Sequence, residues 1–518
     1  MEYEMKKIKD FFDEWKITLF ILLGITVFAF IIRIFNLNEL PVFADEAIYV
    51  RWAQIIKNET TLRFIPLSDG KQPLFMWTLW PMLSFFADPL VAGRTLSAIT
   101  GTGTLLGIFL ATYLLFQNKK ASLLAAGLYA LSPFAVFFDR MALVDSMLSL
   151  FGIWAFVFGV LTVKFRRIDT AIAAGVMLGA AWLTKSPALF MVLMLPSLLL
   201  LEFKRKKLTN LIWPGVLLAG SAFLAYGMFN ILRLGPNFHL LSSRNLDYVY
   251  PYSHILDSPL NPLITHLIDV FNYWILLAPL GLIILAGIAK LSLHKKYLRE
   301  ILLIIIWGAL PVFIVATYSK TMTARYIYFA FPYLIILAAS SLLVKKELLK
   351  KLVYAGIALF IIQSVYTDFL FLTNVEAAPL PRGERSGYLE EWTAGYGIRE
   401  VADYIRKESM APSTNRQIIV GTEGYFGTLP DGLQIYLNDI SNVTVIGVGI
   451  NLTEVPESLE ESVAAGNPTY LVINNSRLHL DPEKEGLELI ESFPKALKSD
   501  GTRDELLFFR VNDRIEDR

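Results

Sequence analysis

The sequence contains no cysteine, and this absence excludes several kinds of site at once. A disulfide framework, a Cys-ligated zinc site and a thiol nucleophile all need cysteine. Five histidines in 518 residues leave little room for a His-rich metal centre. Charged residues make up only 18% of the chain, which is low for a soluble enzyme. The chemistry therefore has to come from carboxylates, lysines and arginines set in a mostly apolar chain.

Long hydrophobic segments dominate the sequence. Hydrophobic residues make up 55% of it and the mean hydropathy is +0.51, which together predict an α-helical polytopic membrane protein. A window of about 20 residues predicts about eleven transmembrane helices. They are expected near residues 17–35, 90–116, 121–138, 142–163, 169–184, 187–202, 211–232, 266–289, 301–318, 326–344 and 352–372. No small-residue cleavage pattern follows the first of them, so it is expected to stay on the protein as an uncleaved helix.

Clusters of lysine and arginine predict the orientation. They occur in alternate loops of the predicted topology, at Lys6–Lys16, Lys119–Lys120, Lys164–Arg167, Lys204–Lys207, Lys290–Arg299 and Lys345–Lys351. The positive-inside rule makes this side cytoplasmic. We therefore expect a multi-pass protein of the cell membrane, with a cytoplasmic N-terminus and an extracytoplasmic C-terminal region.

The composition changes near residue 374. Short β-rich runs such as Gln417–Val420 and Thr469–Ile473 alternate with helix-patterned pieces, which predicts a small α/β domain with a partly parallel sheet. The expected organisation is a transmembrane catalytic domain over 1–373 and an extracytoplasmic α/β domain over 374–518. The first of these would include an outer loop at 36–89 and a possible lid loop at 233–265.

Two adjacent carboxylates, Asp45 and Glu46, follow the first predicted span. An ionisable group at a membrane boundary is costly to keep there, so the pair is a candidate functional site. The structural alternative is that Asp45 caps a helix. Other charges are predicted at the same outer boundary: Lys71, Arg94, Asp139, Arg140, Asp145, Lys185, Lys320 and Arg325. Such cations suit a phosphate and such carboxylates suit general-base catalysis, whereas salt bridges between helices are the structural alternative.

The ordered motifs resemble those of the GT-C glycosyltransferases. The resemblance is greatest to the protein O-mannosyltransferase and lipid A aminoarabinose transferase branch, and it covers roughly residues 17–372. The motifs are Ala44-Asp-Glu-Ala-Ile-Tyr49, Lys71-Gln-Pro-Leu-Phe-Met-Trp77, Gly93-Arg-Thr-Leu-Ser-Ala98, Ser132-Pro133, Asp139-Arg-Met-Ala-Leu-Val-Asp145, Leu183-Thr-Lys-Ser-Pro187 and Arg325-Tyr326.

This resemblance implies an inverting enzyme of the GT-C fold at the outer membrane face. It would move a hexose or pentose from a polyprenyl-phosphate donor to an acceptor on a protein, a lipid or a glycan, as in protein glycosylation and cell-envelope assembly. Its partners would be membrane lipid, the lipid-linked sugar and the acceptor, and no nucleic acid is expected. No cofactor is expected to be required, no metal ligand is assigned, and dependence on a divalent metal is left open.

The resemblance also implies roles for individual residues. Asp45 corresponds to the catalytic aspartate of the first outer loop and Glu46 to its paired glutamate. The positions expected at the donor phosphate are Lys71, Arg94, Lys185 and Arg325, with Asp139, Arg140 and Asp145 in support. Two motifs depart from the family pattern, since Gln72 replaces a proline in Lys-Pro-Pro and Ser186 replaces a glycine in Lys-Gly-Pro.

Three other classes of function stay open at this point. A transporter or flippase for lipid-linked saccharides would show inverted repeats and polar groups near the bilayer midplane. A metal-dependent oligosaccharyltransferase or ligase would place metal-binding acids in two outer loops, for which Asp45 with Asp139 or Asp145 is a candidate set. A non-catalytic receptor would depend on its C-terminal domain and not on these cations.

Overall fold

The computed structural model describes residues 2–202, 209–293, 295–411 and 416–512, with side chains described from residue 13 onward. The basic cluster Lys204–Lys207 and the side chains of Lys6, Lys7 and Lys9 lie outside this description. The α-helices are α1 (Glu2–Ile34), α2 (Ala44–Asn58), α3 (Leu74–Met82), α4 (Pro89–Phe116), α5 (Lys119–Ala130), α6 (Pro133–Phe138), α7 (Val144–Phe165), α8 (Ile168–Thr184), α9 (Ala188–Met194), α10 (Thr209–Phe229), α11 (Leu240–Asp247), α12 (Tyr252–Asp257), α13 (Leu263–Leu276), α14 (Leu280–Leu293), α15 (Leu298–Tyr318), α16 (Phe331–Ser340), α17 (Glu347–Thr373), α18 (Arg382–Arg385), α19 (Ile398–Ser409), α20 (Asp431–Leu437) and α21 (Glu457–Ala464). The shorter 3₁₀ segments include Ile65–Asp69, Leu195–Glu202 and Ala324–Ala330.

The hydrophobic helices confirm a polytopic membrane protein. Within the described residues, seven helical stretches are long and apolar enough to span a membrane, and α13 with α14 adds an eighth if this pair, bent by 108°, counts as one span. The seven lie on α1, α4, α7, α10, α15, α17 and Ala324–Leu343. The remaining predicted spans fall on α5 with α6, on α8, and on α9 with Leu195–Glu202, which are shorter.

Prolines account for the breaks between α5 and α6 and between α13 and α14. Pro133 begins α6 and Pro279 lies between α13 and α14. Because proline lacks the N–H that continues a helix and restricts the residue before it, these two apolar runs fold as pairs of shorter helices. Pro214 and Pro311 are accommodated inside α10 and α15. Hydropathy averaged over a window does not register such a break.

The C-terminal part of the chain contains a five-stranded sheet of strand order β4-β3-β5-β7-β6. Its strands are β3 (Ile418–Glu423), β4 (Val443–Gly449), β5 (Thr469–Asn474), β6 (Leu487–Pro494) and β7 (Glu505–Val511), whereas β1 (Val42–Phe43) and β2 (Ala394–Gly395) form a separate pair. The strands β4, β3 and β5 run parallel, with Val420 opposite both Val445 and Tyr470, and β7 is antiparallel to its neighbours.

The side chains of β3 alternate between two cores, as the period of a strand requires. Ile418 and Val420 pack with α19 and α20, and Ile419 packs on the side of α21. The small α/β domain predicted from alternating strands and helices is therefore present.

The chain divides into two compact units. The helical unit comprises Met1–Leu37, Arg63–Phe75 and Arg94–Thr373, and the sheet unit comprises Asn38–Leu62, Met76–Gly93 and Asn374–Arg518. Within the sheet unit, β1 pairs antiparallel with β2, Val42 opposite Gly395, and α2 packs on α20. Parts of the predicted outer loop 36–89 thus fold with the C-terminal segment. The domain boundaries predicted from the sequence stay predictions, since compactness does not show which segments act together.

Candidate functional site

The predicted site residues are divided between the two units. Asp45 and Glu46 lie in the sheet unit, and the predicted cations and supporting residues lie in the helical unit. The roles assigned to both sets stay predictions.

The two carboxylates at the start of α2 have different environments. The chain leaves β1 and enters α2 through Phe43, which is the N-cap residue in extended conformation. The Glu46 carboxylate accepts a hydrogen bond from the Phe43 N–H at 3.1 Å, and the Glu46 side chain is fully buried. Asp45, one position earlier, is half-buried. The structure thus assigns the cap to Glu46, whereas the sequence suggested Asp45, and it leaves Asp45 as the more accessible acid.

Two of the predicted phosphate-binding cations meet at one aromatic ring. Lys185 Nζ lies 5.2 Å and the Arg325 guanidinium 5.8 Å from the centroid of the Tyr326 ring. Lys185 follows the last residue of α8 in an extended conformation, and Arg325 belongs to the 3₁₀ segment Ala324–Ala330. The fold therefore brings together two cations that are far apart in the sequence.

Asp145 fixes the position of Lys185. Its carboxylate accepts a 2.6 Å hydrogen bond from Lys185 Nζ, and the Asp145 side chain is buried. Asp145 lies in the first turn of α7, where the partial positive charge of the helix N-terminus stabilises a carboxylate. A charged lysine is thereby held at the end of α8 with about a fifth of its side chain exposed.

Lys71 lies on the neighbouring loop of the same unit. Lys71 Nζ is 3.4 Å from the Asp69 carboxylate, which ends the 3₁₀ segment Ile65–Asp69. The chain then turns through Gly70 at a φ of +67°, where a Cβ atom would lie 2.6 Å from Arg244 Cβ. Only glycine suits this position, because both the backbone conformation and the approach of α11 exclude a side chain.

The two motif positions that depart from the family pattern contact each other. Gln72 Nε2 donates to Ser186 Oγ at 2.8 Å, and the same oxygen accepts a longer bond of 3.3 Å from Asn245 Nδ2. The loops that carry Lys71 and Lys185 are therefore joined at the residues that follow these lysines. Either departure considered alone gives no sign of this contact.

The predicted lid loop 233–265 packs on the same loops through α11. Arg244 pairs with Asp69 at 2.5 Å, next to the bond between Asn245 and Ser186. Beyond α11, the Tyr250 N–H donates to the Tyr318 carbonyl at 2.7 Å. The segment is thus attached both to the loop of Lys71 and to the end of α15.

Asp139 is the centre of a buried polar cluster in the helical unit. Arg33 Nε lies 2.9 Å from its carboxylate and both side chains are fully buried. The hydroxyl groups of Tyr129, Tyr328 and Ser146 donate to the same carboxylate at 3.1, 2.8 and 2.6 Å. These bonds satisfy a charge that would otherwise be costly to bury, which is a structural role.

Arg140 and Arg94 bind backbone carbonyl groups near the end of α1. Arg140 donates to the carbonyls of Ile32 and Asn36 at 2.9 Å, and Arg94 donates to the carbonyl of Leu37. The last carbonyls of a helix have no partner within it, so Arg140 stabilises this helix end through Ile32. Arg94 instead bonds the 3₁₀ turn Leu37–Glu39 that follows. Both guanidinium groups thus bond to the backbone of the segment in which α1 ends.

Sequence reasoning missed Arg33, Tyr129 and Tyr328. The sequence could have indicated Arg33, because a charge inside an otherwise apolar predicted span needs a partner. Nothing in the sequence distinguishes the two tyrosines, since tyrosine is common in apolar helices. Within the described residues, no group of three or more histidines and acids is arranged to hold a metal ion.

The arrangement of the helices and the sheet is a known fold. A polytopic helical unit followed by a small α/β sheet has the GT-C glycosyltransferase fold. The apo structure of ArnT from Cupriavidus metallidurans is similar at a TM-score of 0.57 and 13% identity, over 95% of this chain and 97% of that one. The same protein bound to undecaprenyl phosphate gives 0.54 and 15%, over 95% and 98%. At identities this low, the structural similarity to ArnT shows a shared fold.

The sequence itself matches one family. Residues 70–228 match the family described as Dolichyl-phosphate-mannose-protein mannosyltransferase. No curated protein matches the sequence significantly. The oligosaccharyltransferase AglB from Archaeoglobus fulgidus aligns at a TM-score of 0.47 and 12% identity, over 97% of this chain and 75% of that one. The resemblance to GT-C glycosyltransferases of the O-mannosyltransferase branch is confirmed by the family match and the shared fold.

Proposed function

We propose that this protein is an inverting glycosyltransferase that moves a sugar from a polyprenyl phosphate to an acceptor at the outer membrane face. The observation that carries the proposal is the convergence of Lys185 and Arg325 on Tyr326, beside the loop of Lys71. Lys71 and Lys185 fall within the segment that matches the mannosyltransferase family. Experiment has to identify the sugar and to decide whether the acceptor is a protein, a lipid or a glycan.

The cations act on the leaving group. As the bond between the sugar C1 and the phosphate oxygen breaks, negative charge grows on the phosphate, and Lys71, Lys185 and Arg325 stabilise it. Positioned charges of this kind often supply the largest part of a catalytic effect. A phosphate leaves without being protonated, so the proposal needs no general acid, and the cations take the place of a divalent metal.

Asp45 acts on the acceptor. It takes the proton of the acceptor hydroxyl while the hydroxyl oxygen attacks C1 from the side opposite the phosphate, which inverts the configuration. Glu46 is buried and bound to the Phe43 N–H, so it is the less available of the two acids. General-base catalysis typically contributes about 10²–10⁴-fold.

The test is transfer by the purified full-length protein from a synthetic polyprenyl-phosphate sugar, with the product anomer identified by NMR. We expect Asp45→Asn to lower turnover by roughly 10²–10⁴-fold. The matched control is Asp500→Asn, an exposed position of the sheet unit, for which turnover stays unchanged. Near-normal turnover in folded Asp45→Asn would remove the general-base role.

The rival functions give different results in the same assay. A metal-dependent oligosaccharyltransferase or ligase would lose activity with a chelator and would prefer a pyrophosphate-linked donor. A flippase would move the lipid-linked saccharide across a vesicle membrane without forming a glycosidic product. Retention of the donor's configuration would contradict single displacement.

A further inference from the structure

The sheet unit contains a cavity of about 500 Å³ that is lined by none of the residues assigned a role in the proposed function. Four segments of this unit line it: the end of α2, residues 83–89, α19 and α20. This volume lies within the range of roughly 300–1,000 Å³ that is usual for small-molecule sites. The packing of α2 and α19 on α20 holds the walls together.

The charged groups of the wall balance one another. The lining contains three cations, Lys57, Arg399 and Arg406, and three carboxylates, Asp88, Asp403 and Asp439. A cavity with equal numbers of both signs does not favour an anionic or a cationic ligand through its net charge.

Two ion pairs hold the arginines in place. Arg399 lies 2.6 Å from the Asp88 carboxylate, and Arg406 donates to both carboxylate oxygens of Asp439 at 2.8 Å. The pairing orients both arginines and still leaves further N–H groups and oxygen lone pairs for a ligand. Donors and acceptors that together have no net charge suit a neutral ligand that is rich in hydroxyl groups.

Gln54 belongs to the same wall. Its side chain is 8% exposed, and its Nε2 donates to the Ile435 carbonyl at 2.8 Å, which orients the amide. The opposite oxygen, Oε1, is buried and has no hydrogen-bond partner in the described structure. A buried acceptor without a donor is unfavourable, and a ligand hydroxyl supplies the missing donor once a rotation of the Gln54 side chain brings Oε1 to the cavity surface.

Aromatic side chains supply the apolar part of the lining. Phe86 and Tyr436 are half-buried and both line the cavity. Their rings give a flat apolar surface beside the polar groups. The C–H face of a sugar ring packs on such a surface while its hydroxyl groups turn to polar side chains.

We propose that this cavity binds one or two neutral sugar residues. The identity of its natural occupant rests on the proposed function: if the protein transfers sugars, the occupant is a neutral glycan acceptor or its product. Binding is measured without any donor, so failure of this site and failure of the transferase function are distinguishable.

The experiment uses the full-length protein in lipid nanodiscs and three probes: a neutral hexose trisaccharide, a uronic acid trisaccharide and an uncharged Gly/Ser peptide. Affinities are measured by native mass spectrometry and saturation-transfer NMR. The test variant is Gln54→Leu. Its matched control is Gln434→Leu on α20, because Gln434 also donates its amide to a backbone carbonyl, that of Val445 at 3.2 Å, but does not line the cavity.

We expect saturable binding of the neutral trisaccharide, weakened roughly 3- to 10-fold by Gln54→Leu and unchanged by Gln434→Leu. Phe86→Ala is a second variant that leaves α2 and α20 intact and is expected to weaken binding to a similar extent. The proposal is overturned by absence of saturable binding, by preference for the uronic acid or the peptide, or by equal affinities of the wild type and both cavity variants.

Discussion

Asp45 and Glu46 show at the scale of single residues how packing separates two acids that are equivalent in the sequence. Glu46 closes the first turn of α2 and is buried, whereas Asp45 is half-buried. A carboxylate that bonds the N-cap N–H stabilises a helix, and its removal typically costs about 0.5–2 kcal/mol.

Glu46 therefore gives the first prediction. Glu46→Ala is expected to lower the free energy of unfolding by about 1 kcal/mol, because the Phe43 N–H loses its partner. Glu46→Gln keeps an acceptor oxygen and is expected to change stability much less. Thermal unfolding of the two variants in the same detergent measures the difference, and equal destabilisation by both would contradict the cap.

Asp431 gives a prediction about pH. It is buried in the first turn of α20, and this burial raises its pKa to about 6, although the Gly427 N–H at 2.8 Å and the nearby Arg51 lower it. The folded pKa is thus above the ordinary value of 3.8. Folding favours the protonated carboxyl of Asp431, so its contribution to the free energy of unfolding is fully present below pH 4 and is lost as the pH rises to 6. The free energy of unfolding falls by up to about 3 kcal/mol over this range.

Hydrogen exchange of α20 in the full-length protein measures this effect. We expect protection from global opening to fall between pH 4 and pH 6, after correction for intrinsic exchange rates. Asp431→Asn keeps an acceptor for the Gly427 N–H but does not titrate, so the same slope in this variant would assign the effect to another group.

At the scale of elements, the bond between Gln72 and Ser186 joins the loops that precede α3 and α9. Each loop carries one lysine of the proposed phosphate site. A neutral hydrogen bond contributes about 0.5–1.5 kcal/mol. The family pattern has proline and glycine at these positions, which cannot form such a side-chain bond, so this chain joins its two loops in another way.

A double-mutant cycle tests this link. Gln72→Ala and Ser186→Ala are each expected to raise the KM for the lipid-linked donor several-fold, because Lys71 and Lys185 lose their common support. The coupling energy should be about 1 kcal/mol, so the double variant is less impaired than the sum of the single ones. Ser243→Ala, which removes an exposed hydroxyl bonded only locally to the Leu240 carbonyl, serves as the control. Full additivity of the two changes would show that the bond does not position the lysines.

At the scale of the whole molecule, the absence of cysteine makes the predicted orientation directly measurable. The lysine and arginine clusters predict that Lys120 is cytoplasmic and that the C-terminal segment is extracytoplasmic. Both Lys120 and Asp500 are exposed, so a cysteine introduced at either position is reachable from its own side.

Labelling of intact cells with a membrane-impermeant maleimide decides between the two orientations. We expect Asp500→Cys to react in intact cells and Lys120→Cys to react only after the membrane is broken. The unmodified protein gives no background because it has no thiol. The reverse pattern would turn the predicted topology around and would remove the outer-face assignment of Asp45.

The sequence by itself determined the class of this protein. Hydropathy and the alternation of strands and helices after residue 374 depend on local composition, and local properties can be read along a chain. The order of the motifs indicated the GT-C resemblance, including the lysines of the proposed phosphate site.

The tertiary structure alone decided which groups meet. Asp139 pairs with Arg33 across 106 residues, and Gln72 bonds Ser186 across 114. Packing also decided that Glu46 and not Asp45 caps α2, and that α2 folds with α19 and α20 around a cavity. Such pairings depend on the burial and direction of side chains from distant elements, and no local pattern encodes them.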